Sequence, residues 1–242
     1  MEDGLWAPYL FVADGRPAGA HVNMLKHAFE HLPYSLTIKT MPWKRCLNWA
    51  QAGRVDGVLS ASYTKERAEY LHFPLDAMSA DGNAPNRIMS VNYVIVSSTR
   101  IPEWNGKADK LPLPIGVPMG YATAERLQAR GLKVTEGLRY DDLFRMLMRD
   151  RIGSLIITNE LADLYLLEPP YKDKLRKHRV PYETHPLFVP FANKGKVSRN
   201  QAKTIWNAIS LIRDDVALMK AITEQALTQS RRCFSQANHC GQ

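Results

Sequence analysis

Hydrophobic and polar positions along the first part of the chain predict helices and strands in turn. Residues 22–32 (VNMLKHAFEHL) carry apolar side chains at helical spacing, and residues 34–43 alternate as a strand does. A short helix follows over residues 43–53 and ends at Gly53, a residue type typical of helix C-termini. Residues 54–60 (RVDGVLS) predict another strand, and residues 64–73 (TKERAEYLHF) another helix. Such alternation predicts an α/β fold with parallel strands.

A second alternating series begins after a loop-like stretch at residues 75–92. The predicted strands are YVIVSS, LPIGVP, LKVTEG and RIGSLIITN, with helices after Gly120, at YDDLFRMLMRD and at ELADLYLL. HPLFVPF then predicts a strand. A long apolar stripe from residue 199 onward predicts two helices that break near Asp214 and Asp215. Two α/β series of similar build predict two lobes.

Composition and charge narrow the class of partner. The chain has 242 residues, 45% of them hydrophobic and 23% charged, which is typical of a globular protein. Its net charge of +8 permits an anionic partner. The densest basic stretch, residues 172–179 (KDKLRKHR), has no helix-turn-helix, zinc-finger or aromatic RNA-binding signature beside it. We therefore interpret it as a solvated face and expect no nucleic-acid partner.

The termini and cysteines give further limits. No apolar run approaches the roughly 20 residues that span a bilayer. The N-terminus is acidic and unlike a signal peptide, so we expect any export leader to have been removed. Cys233 and Cys240 are close enough to form a disulfide in an oxidising compartment, and Cys46 is expected on the buried side of a helix. No spacing predicts a metal site or a cofactor.

Residues 60–70 (SASYTKERAEY) form the strongest candidate site. They place Ser60, Ser62 and Arg67 between a predicted strand and a predicted helix. Hydroxyl groups and a guanidinium there suit a carboxylate, which accepts two parallel hydrogen bonds from arginine. The alternative is structural: Thr64 caps the helix, Glu66 is a first-turn acid, and Arg67 is solvated or paired with a glutamate.

Several stretches resemble the family 3 periplasmic solute-binding proteins, the type that serves polar amino-acid ABC transporters. They are DGLWAPYLFVADGRPAGAHVNMLKHAF, PWKRCLNWAQAGRVDGVLSASYTKERAEYLHFP and IGVPMGYATAERL, of which the second carries the most diagnostic pattern. The resemblance implies an α/β clamshell of the type II periplasmic-binding class, each lobe a mostly parallel sheet flanked by helices. Lobe 1 would span residues 1–92 and 187–242, and lobe 2 residues 93–186. A ligand would bind in the cleft, and the hinge would close over it.

The resemblance also implies roles for individual residues. Arg67 matches the arginine that binds the ligand carboxylate, with Ser60 and Ser62 as flanking hydrogen-bonding positions. Trp6 matches an aromatic residue that stacks on the ligand, and Asp3 an acid near its distal end. The matching positions of lobe 2 are Tyr121, Thr123 and Asn159. Trp43 is either a wall of the cleft or a packed core residue.

Two positions depart from the family pattern. Asn159 stands where the family usually has an aspartate that binds the ligand α-ammonium, and asparagine lacks that charge. A ligand without an ammonium, substitution by the neighbouring Glu160, and a one-residue shift of the alignment are all open explanations. The family also has a central strand just before the position of Asp3. We expect this strand to be absent or to lie outside this chain, as a shortened N-terminus would have it, and either case would leave a slot in the sheet of lobe 1.

The resemblance favours a non-enzymatic, extracytoplasmic protein that binds a small carboxylate or amino-acid ligand. We expect a periplasmic monomer that delivers the ligand to an ABC transporter permease and needs no cofactor. One alternative is the ligand-sensing domain of a receptor system. Another is a dehydratase-like enzyme on the same fold, for which Glu160 is the candidate acid because such chemistry needs a cleft acid of raised pKa.

Overall fold

The computed structural model describes residues 1, 3–79 and 82–235, and it divides into two compact units. Unit 1 comprises Met1–Ser90 and His185–Gln242, and unit 2 comprises Val91–Thr184. The chain therefore passes between the units twice, within the strand segments around residues 90 and 185.

Helices and strands alternate over most of the described chain, as the sequence predicts. The strands are β1 (Phe11–Ala13), β2 (Arg16–Ala18), β3 (Leu71–His72), β4 (Met89–Ser98), β5 (Ile115–Pro118), β6 (Val134–Gly137), β7 (Ser154–Thr158), β8 (Leu175–Lys177), β9 (Glu183–Leu187) and β10 (Phe191–Ala192). The helices are α1 (Ala20–Glu30), α2 (Trp43–Gln51), α3 (Lys65–Ala68), α4 (Ala122–Ala129), α5 (Tyr140–Met148), α6 (Asn159–Leu166), α7 (Arg199–Asp214) and α8 (Val216–Ser235).

Unit 2 is built on a mixed sheet with the strand order β6-β5-β7-β4-β8, and β9 also pairs with β4. Strand β5 runs parallel to β6 and β7, whereas β4 is antiparallel to β7 and β8. The expectation of a mostly parallel sheet is therefore wrong in this detail. The reason is topological. Strand β4 precedes the first helix of unit 2, so no βαβ connection requires it to run parallel to the strands that follow.

The core of unit 2 packs helices against this sheet. Ile95, Ile115 and Leu143 are fully buried. The Phe144 ring stacks on the Tyr165 ring with centroids 4.1 Å apart, and the Tyr165 hydroxyl donates to Asp141 Oδ1 at 2.8 Å. The stacked rings and the hydrogen bond to Asp141 both join α5 to α6.

Unit 1 contains a hairpin, a short strand pair and three packed helices. Strand β1 pairs with β2, β3 pairs with β10, and α1 packs against α7 and α8. Gly19, which precedes α1, has φ +112°, and a Cβ there would lie 2.3 Å from the Tyr9 carbonyl oxygen. Only glycine fits this turn, which brings the start of α1 against the backbone of the hairpin.

The break between the last two helices is confirmed, since α7 ends at Asp214 and α8 begins at Val216. The start of α7 is a capping box, in which Ser198 Oγ accepts from the Gln201 amide at 3.3 Å and Gln201 Oε1 accepts from the Ser198 amide at 2.9 Å. Both contacts satisfy amide groups that the helix itself leaves unpaired.

Replacing Ser198 by alanine is expected to lower the free energy of unfolding by about 1 kcal/mol, because one cap acceptor is lost. Urea denaturation measures the change. Ser198→Asp, which keeps an acceptor, should retain most of the stability. An alanine variant as stable as the parent would show that the box contributes nothing.

Three predicted elements of unit 1 differ in the structure. The helix expected at 64–73 is only the single turn α3, because Leu71 and His72 pair with β10 instead. Residues 34–40 are extended without being a strand. Residues 54–60 form only the isolated bridge of Gly57 with Phe191, and Ala61 bridges to Phe188. A strand requires a paired neighbour, and hydrophobic alternation alone does not supply one.

Candidate functional site

Arg67 is a buried cation held by its own turn. Thr64 caps α3, and its Oγ1 accepts from the Arg67 amide at 3.2 Å. The guanidinium Nη1 donates to the Ser62 carbonyl oxygen at 2.9 Å, and its carbon lies 5.4 Å from the centroid of the Trp43 ring. The residue is 3% exposed. The capping role of Thr64 is therefore present, but Arg67 is not a solvated surface residue; it is a positioned, desolvated charge.

Ser60, two residues before Ser62, has an unusual backbone conformation. Its φ is +69°, a left-handed value that non-glycine residues adopt rarely and that clusters at functional sites. The side chain is buried, and its Oγ lies 2.6 Å from Nδ1 of His21. The turn thus brings a hydroxyl from the end of residues 54–60 against the start of α1.

His21 belongs to an aromatic cluster with Trp6 and Tyr9. The Trp6 and His21 ring centroids are 5.7 Å apart in an edge-on arrangement, and Tyr9 lies 5.0 Å from Trp6 and 5.1 Å from His21. Trp6 Nε1 and His21 Nε2 are buried and have no hydrogen-bond partner among the described residues. Buried polar nitrogens normally have partners, so these two are candidates for contacts to a ligand.

Burial also fixes the charge of His21. Desolvation lowers the pKa of His21 to about 3, so the imidazole is neutral near pH 7. Sequence reasoning missed this residue, because one histidine on an apolar helix face is usually a core residue. The feature that distinguishes it is its position: a polar side chain at the buried start of α1, two residues after Gly19.

The other predicted residues of unit 1 divide into two groups. Trp43 is the first residue of α2, is buried, and contacts Arg67, so it is both packed and adjacent to the cation. Asp3 is held by its amide, which donates to the Met41 carbonyl oxygen at 3.0 Å. Its carboxylate forms no hydrogen bond or ion pair within the part of the chain that the structure describes. The contacts therefore join Arg67 to Ser62 and Trp43, and they join Trp6 to Ser60 through His21, without the Asp3 carboxylate.

In unit 2, Tyr121 is the N-cap of α4, and Thr123 is buried in its first turn. Thr123 Oγ1 accepts from Arg126 Nη2 at 3.0 Å, and Arg126 forms a 2.7 Å ion pair with Glu183. A cation is thus fixed one turn from the start of α4.

Asn159, the first residue of α6, has a cationic neighbour. Its Oδ1 accepts from the Lys177 ammonium at 2.8 Å, and the same ammonium pairs with Asp163. Glu160 follows in the first turn. Unlike an aspartate, this asparagine is a neutral acceptor that is already engaged with a positive charge.

Metal-binding clusters, membrane-spanning helices and cysteines were also compared with the structure. Among the described residues, no cluster of three histidine, cysteine or acidic side chains is arranged to hold a metal ion. No helix in the described ranges is long and apolar enough to cross a bilayer. Cys46 and Cys233 are both buried. The predicted Cys233–Cys240 pairing involves a residue outside the described ones.

Comparison with known proteins gives one family match. The family model of the bacterial extracellular solute-binding proteins, family 3, matches residues 2–84. A comparison with curated proteins found no significant match.

Solved structures share the fold at low sequence identity. A histidine kinase sensor domain with similarity to periplasmic binding proteins aligns with a TM-score of 0.76 and 16% identity, covering 93% of both chains. The amino-acid ABC transporter substrate-binding protein AbpA from Streptococcus pneumoniae, bound to L-arginine, gives 0.73 and 15%, covering 95% of this chain and 93% of that one. An ancestral amino-acid-binding precursor of cyclohexadienyl dehydratase gives 0.70 and 14%, covering 93% of this chain and 92% of that one.

The family resemblance and the fold class are thereby confirmed. The chain has the α/β fold of the type II periplasmic-binding class, and over residues 2–84 it carries the sequence pattern of the bacterial extracellular solute-binding proteins of family 3.

Proposed function

We propose that this chain is a periplasmic, monomeric solute-binding protein that captures a small carboxylate-bearing ligand between its two lobes and delivers it to an ABC transporter. The match to the solute-binding family over residues 2–84 and the shared fold support the ligand-binding role. The proposed steps beyond it are recognition of the carboxylate by Arg67 and closure about the two chain segments that join the lobes. A ligand that contacts both lobes shifts the equilibrium toward the closed form by its differential affinity.

The observation that carries the proposal is the environment of Arg67. A guanidinium that is 3% exposed has lost most of its hydration, and a carboxylate compensates this loss better than a neutral group. Its orientation is fixed before any ligand arrives, by the Ser62 carbonyl on one side and the Trp43 ring on the other. Preorganisation of this kind lowers the entropy cost of binding.

The aromatic cluster supports the same site. Trp6 Nε1 carries a hydrogen, and it is buried without a partner among the described residues. Ser60, which is hydrogen-bonded to His21, adds a hydroxyl at the end of residues 54–60. We propose that Trp6 and Ser60 contact the polar part of the ligand, with Trp43 as the wall beside the Arg67 cation.

The surroundings of Asn159 narrow the ligand class. An α-ammonium at this position would meet a neutral amide oxygen that already accepts from Lys177, and it would be repelled by that lysine. We therefore propose an acid without an α-ammonium, such as a keto acid or a dicarboxylate. Tyr121 and Thr123 would meet the ligand from the start of α4. AbpA, of similar fold, binds L-arginine, so amino acids stay in the test as the competing class.

A thermal-shift screen tests this function. The panel contains α-amino acids, keto acids, dicarboxylates, and amines that match the amino acids but lack the carboxylate. A ligand at 100 times its Kd adds about 2.7 kcal/mol of stability. We expect keto acids or dicarboxylates to raise Tm and the matched amines to have no effect. Stabilisation by amines alone would contradict the role of Arg67.

A sensory role is the alternative that an observation favours, because the histidine kinase sensor domain has the same fold. The two roles differ in the partner that responds. Ligand-loaded protein added to membranes with its transporter should stimulate ATP hydrolysis or uptake, whereas a sensor domain would alter kinase phosphorylation. We also propose that the chain is not an enzyme. Recovery of the ligand unchanged after prolonged incubation, followed by NMR, is the expected result.

A further inference from the structure

A buried histidine of unit 2, His178, is not among the residues of the proposed ligand site. It follows β8 directly and is 1% exposed. Its amide donates to the Ile95 carbonyl oxygen at 2.9 Å, which holds the residue beside β4. Both ring nitrogens have partners: Nε2 lies 2.8 Å from Ser97 Oγ, and Nδ1 accepts from the Trp104 amide at 2.9 Å. The imidazole therefore joins β4 to the segment that contains Trp104.

The direction of these hydrogen bonds fixes the protonation state of the ring. A backbone amide can only donate, so Nδ1 of His178 accepts from Trp104 and carries no hydrogen. The hydrogen of the neutral ring is then on Nε2, which donates to Ser97 Oγ. Ser97 Oγ in turn donates to the Ser98 carbonyl oxygen at 3.4 Å. All the donors point one way, from Trp104 toward β4, and this arrangement requires a neutral imidazole.

Residues 102–110, which we name the Trp104 loop, depend on His178 for their position. The loop lies between β4 and β5, and Trp104 is 5% exposed. Within the described chain, the Trp104 loop has two hydrogen bonds to other segments. One is the bond from the Trp104 amide to His178, and the other runs from the Arg179 amide to Glu103 Oε1 at 2.7 Å. Loss of the His178 bond therefore removes half of the hydrogen bonds that hold this loop in place.

Glu103 is a second acceptor for the same ring nitrogen. Its Oε1 lies 3.6 Å from His178 Nδ1, and its side chain is 42% exposed. The other charged group that faces the ring is Arg176 of β8, which lies 3.7 Å from Glu103 Oε2. From β4 the ring meets the uncharged Ser97. Burial lowers the pKa of His178 and the Glu103 carboxylate opposes this shift, so the ring is neutral near pH 7 and has an anion beside it when it takes up a proton.

We propose that His178 is a pH-sensitive switch, which holds the Trp104 loop against unit 2 at neutral pH and releases it when Nδ1 takes up a proton from solvent. The new N–H faces the Trp104 amide, a second donor, so it donates to Glu103 instead. The buried Trp104 amide is then left without an acceptor, which is unfavourable until the loop moves and water hydrates that amide. This inference is independent of the proposed ligand site.

The test follows the full chain by NMR as the pH is lowered from about 7.5 to about 4. The chemical shifts of the His178 ring nitrogens report which nitrogen carries the hydrogen and when the ring becomes charged. Protection of the Trp104 amide from hydrogen exchange reports whether the Trp104 loop is docked. Protection of the amides between β4 and β7 reports whether the rest of the sheet stays folded.

We expect the hydrogen on Nε2 at neutral pH. As His178 becomes charged, protection of the Trp104 amide should fall by at least about tenfold, while the amides between β4 and β7 stay protected. A hydrogen on Nδ1 at neutral pH, or a ring that stays neutral down to about pH 4, would overturn the proposal. Unchanged Trp104 protection in the charged state would also overturn it, as would loss of protection in the sheet together with the Trp104 amide.

Two variants test the role of Glu103. Glu103→Gln keeps an acceptor for the Arg179 amide but removes the charge, so release of the Trp104 loop should require a lower pH than in the parent. Asp109→Asn, which removes an exposed carboxylate from the same loop, is the matched control and should leave the midpoint of release unchanged. Release at the same pH in Glu103→Gln and the parent would contradict the exchange of the Trp104 amide for the Glu103 carboxylate.

Discussion

Replacing Arg67 by alanine is expected to weaken binding of the carboxylate ligand by roughly 2–5 kcal/mol, the cost of leaving one member of a buried charge pair without its partner. This corresponds to about a 30- to 4,000-fold increase in Kd. The expectation rests on the burial of Arg67, which is 3% exposed, because the ligand carboxylate would then lose its charged partner in a largely desolvated site. Isothermal titration calorimetry with the best ligand from the screen measures the change.

Two further variants separate charge from geometry. Arg67→Lys keeps the charge but loses the planar pair of donors, so it should recover only part of the affinity. Lys65→Ala, which removes an exposed cation from the same turn, should leave Kd within about threefold, as expected for surface charges. If Lys65→Ala weakened binding as much as Arg67→Ala, the effect would be general electrostatics rather than a specific contact.

The second prediction concerns acid: lowering the pH should reduce the free energy of unfolding through His21. Its folded-state pKa is about 3, whereas an exposed histidine titrates at 6.5, so the unfolded chain takes up this proton first. Above pH 6.5 the imidazole is neutral in both the folded and the unfolded chain, so His21 does not lower the free energy of unfolding. As the pH falls from 6.5 toward 3, the unfolded chain binds the proton and the free energy of unfolding decreases. A shift of this size corresponds to a loss on the order of 4 kcal/mol across that window. Urea titrations at several pH values measure the slope.

His21→Asn should reduce this pH dependence, since asparagine fills a similar space without titrating. Asn23→Ala, at a non-titrating position of the same helix, is the matched control and should leave the slope almost unchanged. Burial also lowers the pKa of His178, so His21→Asn should diminish the acid destabilisation without abolishing it. A slope identical in His21→Asn and the parent would contradict a buried, neutral imidazole.

The elements predicted correctly from the sequence are those with strong local determinants. The apolar stripe of α7 and α8, broken by two aspartates, gives both helices, and the Thr64 cap gives the start of α3. The predictions failed at residues 34–40, expected as a strand, and at residues 64–73, expected as one helix, because pairing with a distant segment decides the outcome there. Such pairing is a tertiary property that propensity does not encode.

The candidate site shows the same division. The cation and hydroxyls between residues 60 and 67 were predicted as a ligand site from residue types at one predicted strand-to-helix turn, and their role stays a prediction, although Arg67 is buried there. His21 and Lys177 were missed because their importance comes from neighbours far away in sequence, Ser60 and Asn159 respectively. Only the folded chain brings the neutral His21 to the Ser60 hydroxyl and the Lys177 ammonium to the Asn159 amide.

The measurement that tests the central claim most directly is a calorimetric cycle on the ligand carboxylate itself. The acid and its primary amide are titrated into the parent protein and into Arg67→Ala. If Arg67 binds the carboxylate, amidation should cost the parent roughly 2 kcal/mol or more and cost the variant much less, which gives a clear coupling energy. Equal losses in the two proteins would contradict the account, because the carboxylate would then be recognised elsewhere.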